Sequence, residues 1–246
     1  MKFARLRVLS DINLMAEHPP HAERKNHGPE LEREFELERM ILFSDAIFAI
    51  AITLMVIDIK WPDLPDRLQG VDMYKLLRPT MFQFIVFVLS FFYIGRSWSQ
   101  HLRLCRLLRS YDQGLITRNL YYLFFIVIFP FTASGIVGHV VTGFILPLFL
   151  YSFNLAAVAV MHFLIIRYIL RKKPELSMGA EEAEKKYIYI RGLYSSSVMV
   201  GLFVLIILVA IFTGGNPNDM SLAFLLIPFG LRYAGRKAKK YKPKTG

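Results

Sequence analysis

The stretch Arg39-Met-Ile-Leu-Phe43-Ser44-Asp45-Ala-Ile-Phe-Ala49-Ile50-Ala-Ile-Thr53-Leu54-Met-Val-Ile57 is polar, after its leading arginine, only at Ser44, Asp45 and Thr53. A helix rises about 1.5 Å per residue, so a run of this length comes close to crossing a hydrocarbon core of about 30 Å. It lies in the first of six long apolar runs, near residues 40–59, 79–99, 115–138, 143–167, 191–212 and 220–234. The sixth is the shortest and carries Pro228. An apolar content of 54% would also suit one large soluble domain, so it is the distribution that decides. The expectation is an all-α polytopic membrane protein with six transmembrane helices, in which the first span itself targets the chain.

Charge falls between these runs in a pattern. Of the 30 Lys and Arg, 25 lie in residues 1–39, 96–112, 167–191 and 232–246. The connector 60–78 holds four, connectors 139–142 and 213–219 hold none, and Arg118 stands alone at the start of the third span. Such alternation follows the positive-inside rule and predicts a multi-pass protein of the cell inner (plasma) membrane with both termini cytoplasmic. It also removes the first implication of a net charge of +11, which would be nucleic acid. The basic connector 167–191 and the tail from Arg232 are expected to lie against membrane lipid.

The predicted organisation is a cytoplasmic N-terminal extension over 1–38, a six-helix transmembrane domain over 39–235 and a basic cytoplasmic tail over 236–246. Gly28–Pro29, followed by glutamates, marks a helix start inside that extension. No signal-peptide pattern precedes the first span. The single cysteine, Cys105, falls in a predicted cytoplasmic connector and implies no disulfide. No second copy of the first-span motif occurs. Phosphate-cradling glycine loops, metal-ligand spacing and a catalytic triad are likewise missing from the sequence, so neither an enzyme nor a cofactor is expected.

Polar groups at membrane depth need partners and are the natural candidates for function. With Ile50 at zero and 100° per residue, Phe43, Ala46, Thr53, Leu54 and Ile57 fall within about 60° of it, while Ser44 lies near 120° and Asp45 near 220°. The span therefore has two faces. Read from periodicity alone, the apolar stripe is as a rule a packing or lipid-facing surface. Asp45 finds no donor on its own helix, since Arg39 is rotated by about 120° from it. Its donors are expected from Trp98, from His101 just past the second span, or from Asn119 in the third.

These residues resemble a known pattern. Arg39-x-x-x-Phe43-Ser44-Asp45-x-x-x-Ala49, Trp98-x-x-His101, Asn119-Leu120 and Phe129-Pro130-Phe131-Thr132 are similar to the signature of the transmembrane protein 175 potassium-channel family, in particular its single-repeat prokaryotic branch. Gln100 stands where some members carry the first of two adjacent histidines. The resemblance implies a potassium-permeable cation channel assembled as a homotetramer around a pore lined by the first helix. On that basis Ile50 would be the pore constriction, with Leu54 and Ile57 as further layers and Thr53 as the selectivity layer. Arg39, Phe43, Ser44, Asp45, Ala49, Trp98, His101 and Asn119 would form the signature and interhelical network, and the permeant species would be potassium ions. There is no TVGYG-type carbonyl loop, so selectivity would come from pore width, Thr53 and the electrostatics of the mouths. Two other readings stand beside it: a secondary transporter or proton-coupled exchanger using Asp45 and His101, and a non-conducting scaffold held by polar packing.

Overall fold

The computed structural model of the protein describes residues 28–57, 59–64, 70, 72–142, 145–213 and 226–242, with only the backbone described at 28–33 and 137–142. Among the described residues every regular element is helical. They are α1 (Gly28–Ile57), α2 (Met73–Cys105), α3 (Gln113–Val127), α4 (Phe129–Thr142), α5 (Leu146–Arg167), α6 (Glu182–Phe212) and α7 (Leu226–Lys239). Among the described residues five stretches are long and apolar enough to cross a membrane: Glu34–Ile57, Met73–Cys105, Gln113–Ile136, Leu146–Lys172 and Glu182–Phe212. Residues 1–27, most of the expected N-terminal extension, lie outside the described residues, as do residues 214–225, which include the start of the expected sixth span.

Local chemistry accounts for the helix ends. Asp72 caps α2 by accepting from the backbone N–H groups of Tyr74 and Lys75 at 3.1 and 3.3 Å. Asp112 caps α3 through the Leu115 N–H at 2.7 Å. The third span is broken between α3 and α4, where Pro130 has no N–H to continue the ladder, and Thr132 Oγ1 donates to the Phe129 carbonyl at 3.0 Å.

Two expected boundaries move. Helix α2 runs on through His101 to Cys105, so His101 stands inside the second span and not past it. Helix α7 runs to Lys239, beyond the expected tail boundary after residue 235. The reason is the spacing of Ile227, Leu231, Ala234 and Ala238, which makes one buried stripe while the basic residues take the other side. The described part of α7 is 14 residues, about 21 Å at 1.5 Å each, shorter than a hydrocarbon core.

The connectors show which ends of the helices lie together. The Arg109 N–H donates to the Leu176 carbonyl at 2.8 Å, and the Tyr168 hydroxyl donates to Asp112 Oδ2 at 2.6 Å. The second and fourth connectors therefore meet at one end of the bundle. The Lys186 ammonium lies 5.2 Å from the ring centroid of Tyr241, which brings the C-terminal segment to that end as well. Helix α1 packs on α2, α3 and α4, and α5 links that group to α6 and, through α6, to α7. Gly192 of α6 is buried beside Ile166 and Phe163 of α5, a small residue that lets two membrane helices approach.

Candidate functional site

Helix α1 has two unlike sides. Leu37, Ser44, Phe48, Ala51 and Met55 are buried, and their spacings of seven, four, three and four place them in one stripe about 60° wide. Phe43, Ala46, Ala49, Ile50, Thr53, Leu54 and Ile57 are exposed on the opposite side, with Ile50 at 57% and Ile57 at 70%. Among the described residues no helix of the chain's own covers this side. Thr53 Oγ1 donates to the carbonyls of Ala49 and Ile50 at 3.1 and 3.0 Å, so its hydroxyl proton is satisfied within its own helix.

Polar bonds hold the other side. Ser44 Oγ donates to the Met40 carbonyl at 2.9 Å and accepts from Asn119 Nδ2 of α3 at 2.9 Å. The Trp98 indole Nε1–H of α2 donates to Asp45 Oδ1 at 2.8 Å. Two adjacent residues of α1 are thus tied to two different helices, which fixes the rotation of α1 about its own axis. Among the three donors expected for Asp45, Trp98 is the one that bonds it. Asn119 goes to Ser44 instead, because the 100° between adjacent residues turns Ser44 toward α3 and Asp45 toward α2.

His101 is placed differently. Its ring is buried beside Phe48 and Tyr122, with centroids 5.9 and 5.4 Å away, and its Nε2 faces the Cys105 Sγ at 3.6 Å. Phe48 thereby anchors α1 in an aromatic cluster that also contains His162 of α5, 5.4 Å from Tyr122 between centroids. Sequence reasoning did not single out Phe48, Tyr122 or His162. A signal was present for His162, a lone histidine within an otherwise apolar span, but its partners belong to other helices. Arg39 is exposed at the foot of α1 and makes no side-chain hydrogen bond or ion pair among the described residues. It shares a groove of ≈350 Å³ with Glu36, Phe43 and Asn119. A second polar tie lies at the broken span, where Asn154 Nδ2 donates to Thr132 Oγ1 at 3.3 Å.

Fold and site together define a class: a multi-pass α-helical membrane protein whose first helix is locked by polar bonds on one side and, among the described residues, uncovered on the other. The family described as "Endosomal/lysosomal potassium channel TMEM175" matches residues 39–130. The chain is similar to this TMEM175 family over that part of its length. It is 25% identical over 183 residues to a potassium channel of Chryseobacterium sp. (strain P1-3), covering 70% of this chain and 90% of that one. To a potassium channel of Chamaesiphon minutus it is 30% identical over 105 residues, 43% of this chain and 51% of that one. The human endosomal/lysosomal proton channel TMEM175 is 25% identical over 155 residues, and the match spans only 30% of its length. The fold is similar to the crystal structure of a lysosomal potassium-selective channel TMEM175 homolog from Chamaesiphon minutus, with a TM-score of 0.58, 19% identity and coverage of 84% of this chain and 96% of that chain.

Proposed function

We propose that this chain is the subunit of a potassium-permeable cation channel, in which copies assemble with the uncovered face of α1 toward a shared axis. The observation that carries the reading is the exposure of Ile50, Leu54 and Ile57 on a helix whose opposite face is fixed by Ser44–Asn119 and Asp45–Trp98. One such face cannot enclose a pore, whereas four around an axis would. In that homotetramer Ile50 is the constriction, Leu54 and Ile57 add apolar rings, and Thr53 supplies the hydroxyl layer that favours potassium. Rings of this kind gate by dewetting, without a carbonyl-lined filter. The family match over residues 39–130 and the potassium channels among the relatives support the choice of ion.

The membrane is read as the plasma membrane, with both termini and the second and fourth connectors on the cytoplasmic side, from the placement of the basic residues. An exchanger using Asp45 and His101 is not favoured. The relatives are named as channels, Asp45 is bonded to Trp98, and His101 is turned into the aromatic cluster.

The test is flux from proteoliposomes, with potassium, sodium and protons compared in parallel because relatives carry the names of both potassium and proton channels. Ile50→Asn wets the narrowest ring and should raise potassium flux at least several-fold. Flux unchanged by that substitution refutes the pore assignment. Saturable counterflow in place of conductance would restore the exchanger.

A further inference from the structure

Arg118 is the one basic residue that the charge alternation leaves inside a span. Its guanidinium carbon sits 3.8 Å from the ring centroid of Tyr168, and its Nη1 donates to the Gly114 carbonyl at 2.8 Å. It borders a groove of ≈540 Å³ between α3 and the end of α5, into which Arg167 and Lys172 also face. Lys172 is brought there by a π-helical turn, Tyr168–Lys172, that continues α5. Such turns often mark functional positions.

The groove is graded along its length. Arg118, Tyr121 and Phe125 stand at i, i+3 and i+7 on α3, and Met161 and Leu164 of α5 with Tyr168 of the π-helical turn hold the same spacing. The two spans run in opposite directions, so cations and a phenol meet at the connector end while Phe125 and Met161 meet about two turns deeper. None of Arg118, Arg167 and Lys172 is in an ion pair among the described residues. The nearby carboxylate of Asp112 is committed, with Oδ1 accepting from the Leu115 N–H at 2.7 Å and Oδ2 from the Tyr168 hydroxyl at 2.6 Å.

We infer that this groove is a binding site for an anionic glycerophospholipid, with the phosphate held by Arg118, Arg167 and Lys172 and the acyl chains lying along Phe125, Leu164 and Met161. Three cations without an acidic partner call for an anion, and an apolar wall leading from them into the membrane calls for chains attached to it. A free aqueous anion would satisfy the cations and leave that wall bare. The site lies on the other side of α3 from the groove that holds Arg39, so it goes beyond the channel reading and does not depend on it.

The test uses the full-length purified protein and native mass spectrometry of retained dioleoyl phosphatidylglycerol against dioleoyl phosphatidylcholine. The double substitution Arg167→Gln/Lys172→Gln should weaken phosphatidylglycerol retention roughly 30-fold, since each cation near the surface contributes about fivefold. The control Arg106→Gln/Arg236→Gln removes two exposed arginines outside the groove and should leave retention within about twofold. Equal loss in both, or no loss in either, overturns the site. Equal retention of phosphatidylcholine overturns the charge argument. Displacement by inorganic phosphate or glycerophosphate shows a free-anion site and overturns the lipid. Should the double variant fail to fold, phosphatidylglycerol with a photoreactive acyl chain is applied to the unmodified protein. Crosslinks must then fall at 121–125 or 161–164, and their absence there, as when a second copy fills the groove, refutes the proposal.

Discussion

Breaking the bond between Trp98 and Asp45 tests whether α1 is held in rotation by polar anchors or only by packing. The indole N–H lies 2.8 Å from Asp45 Oδ1 and joins α2 to α1 across 53 residues of sequence. A hydrogen bond to a charged acceptor contributes about 1.5–3 kcal/mol net, against an average near 0.6 kcal/mol for interhelical bonds measured inside a membrane protein. Asp45 is half-buried, so a coupling of about 2 kcal/mol is expected, a change of roughly 30-fold in the folding equilibrium. The cycle consists of Trp98→Phe, which keeps most of the ring and removes the donor, Asp45→Ala, which removes the acceptor, and the double variant. Reversible unfolding in mixed micelles, followed by circular dichroism against the fraction of denaturing detergent, gives each free energy. A coupling below about 0.5 kcal/mol would mean that Phe48 and Met55 alone orient the helix, and the anchor argument would fail.

Two further outcomes follow from the geometry. A side chain at Gly192 would put its Cβ 2.6 Å from Ile166 Cδ1 and 3.3 Å from Phe163 Cδ2, so Gly192→Val should cost about 1–3 kcal/mol by overpacking, whereas Gly201→Ala, which meets open space, should leave the melting temperature of the purified protein unchanged. Cysteines placed singly at Ile50 and Ile57 should react with a membrane-impermeant thiol reagent, while one at Met55 should not. The native Cys105 is buried and should add little background, and protection of Ile50→Cys and Ile57→Cys as complete as that of Met55→Cys would argue that the α1 face meets lipid or protein and not water.

Much of this architecture is local, and local features can be read from the chain. Hydrophobic runs mark the spans because a bilayer demands continuous apolar length, and the basic residues gather in alternate connectors because charge is costly to move across it. The two faces of α1 follow from a 100° step, so the stripe containing Ile50 and Ile57 separates from Ser44 and Asp45 before any partner is known. The apolar run 115–138 is continuous in sequence although the helix breaks before Pro130, and α2 continues past the apolar run that ends near residue 99. Arg96 and Arg103 look like connector residues in one dimension, whereas the helix that carries them continues to Cys105.

Other features belong to the packed molecule. The sequence alone determined that Asp45 needs a donor from elsewhere, but only the tertiary structure decided that Trp98 bonds it, that Asn119 bonds Ser44 and that His101 joins Phe48 and Tyr122. The same holds for the groove that gathers Arg118, Arg167 and Lys172 from two distant segments. Periodicity states which way a side chain points on its own helix; which neighbour stands there depends on how the apolar helices exclude one another in three dimensions, and that arrangement has no signature within any one of them.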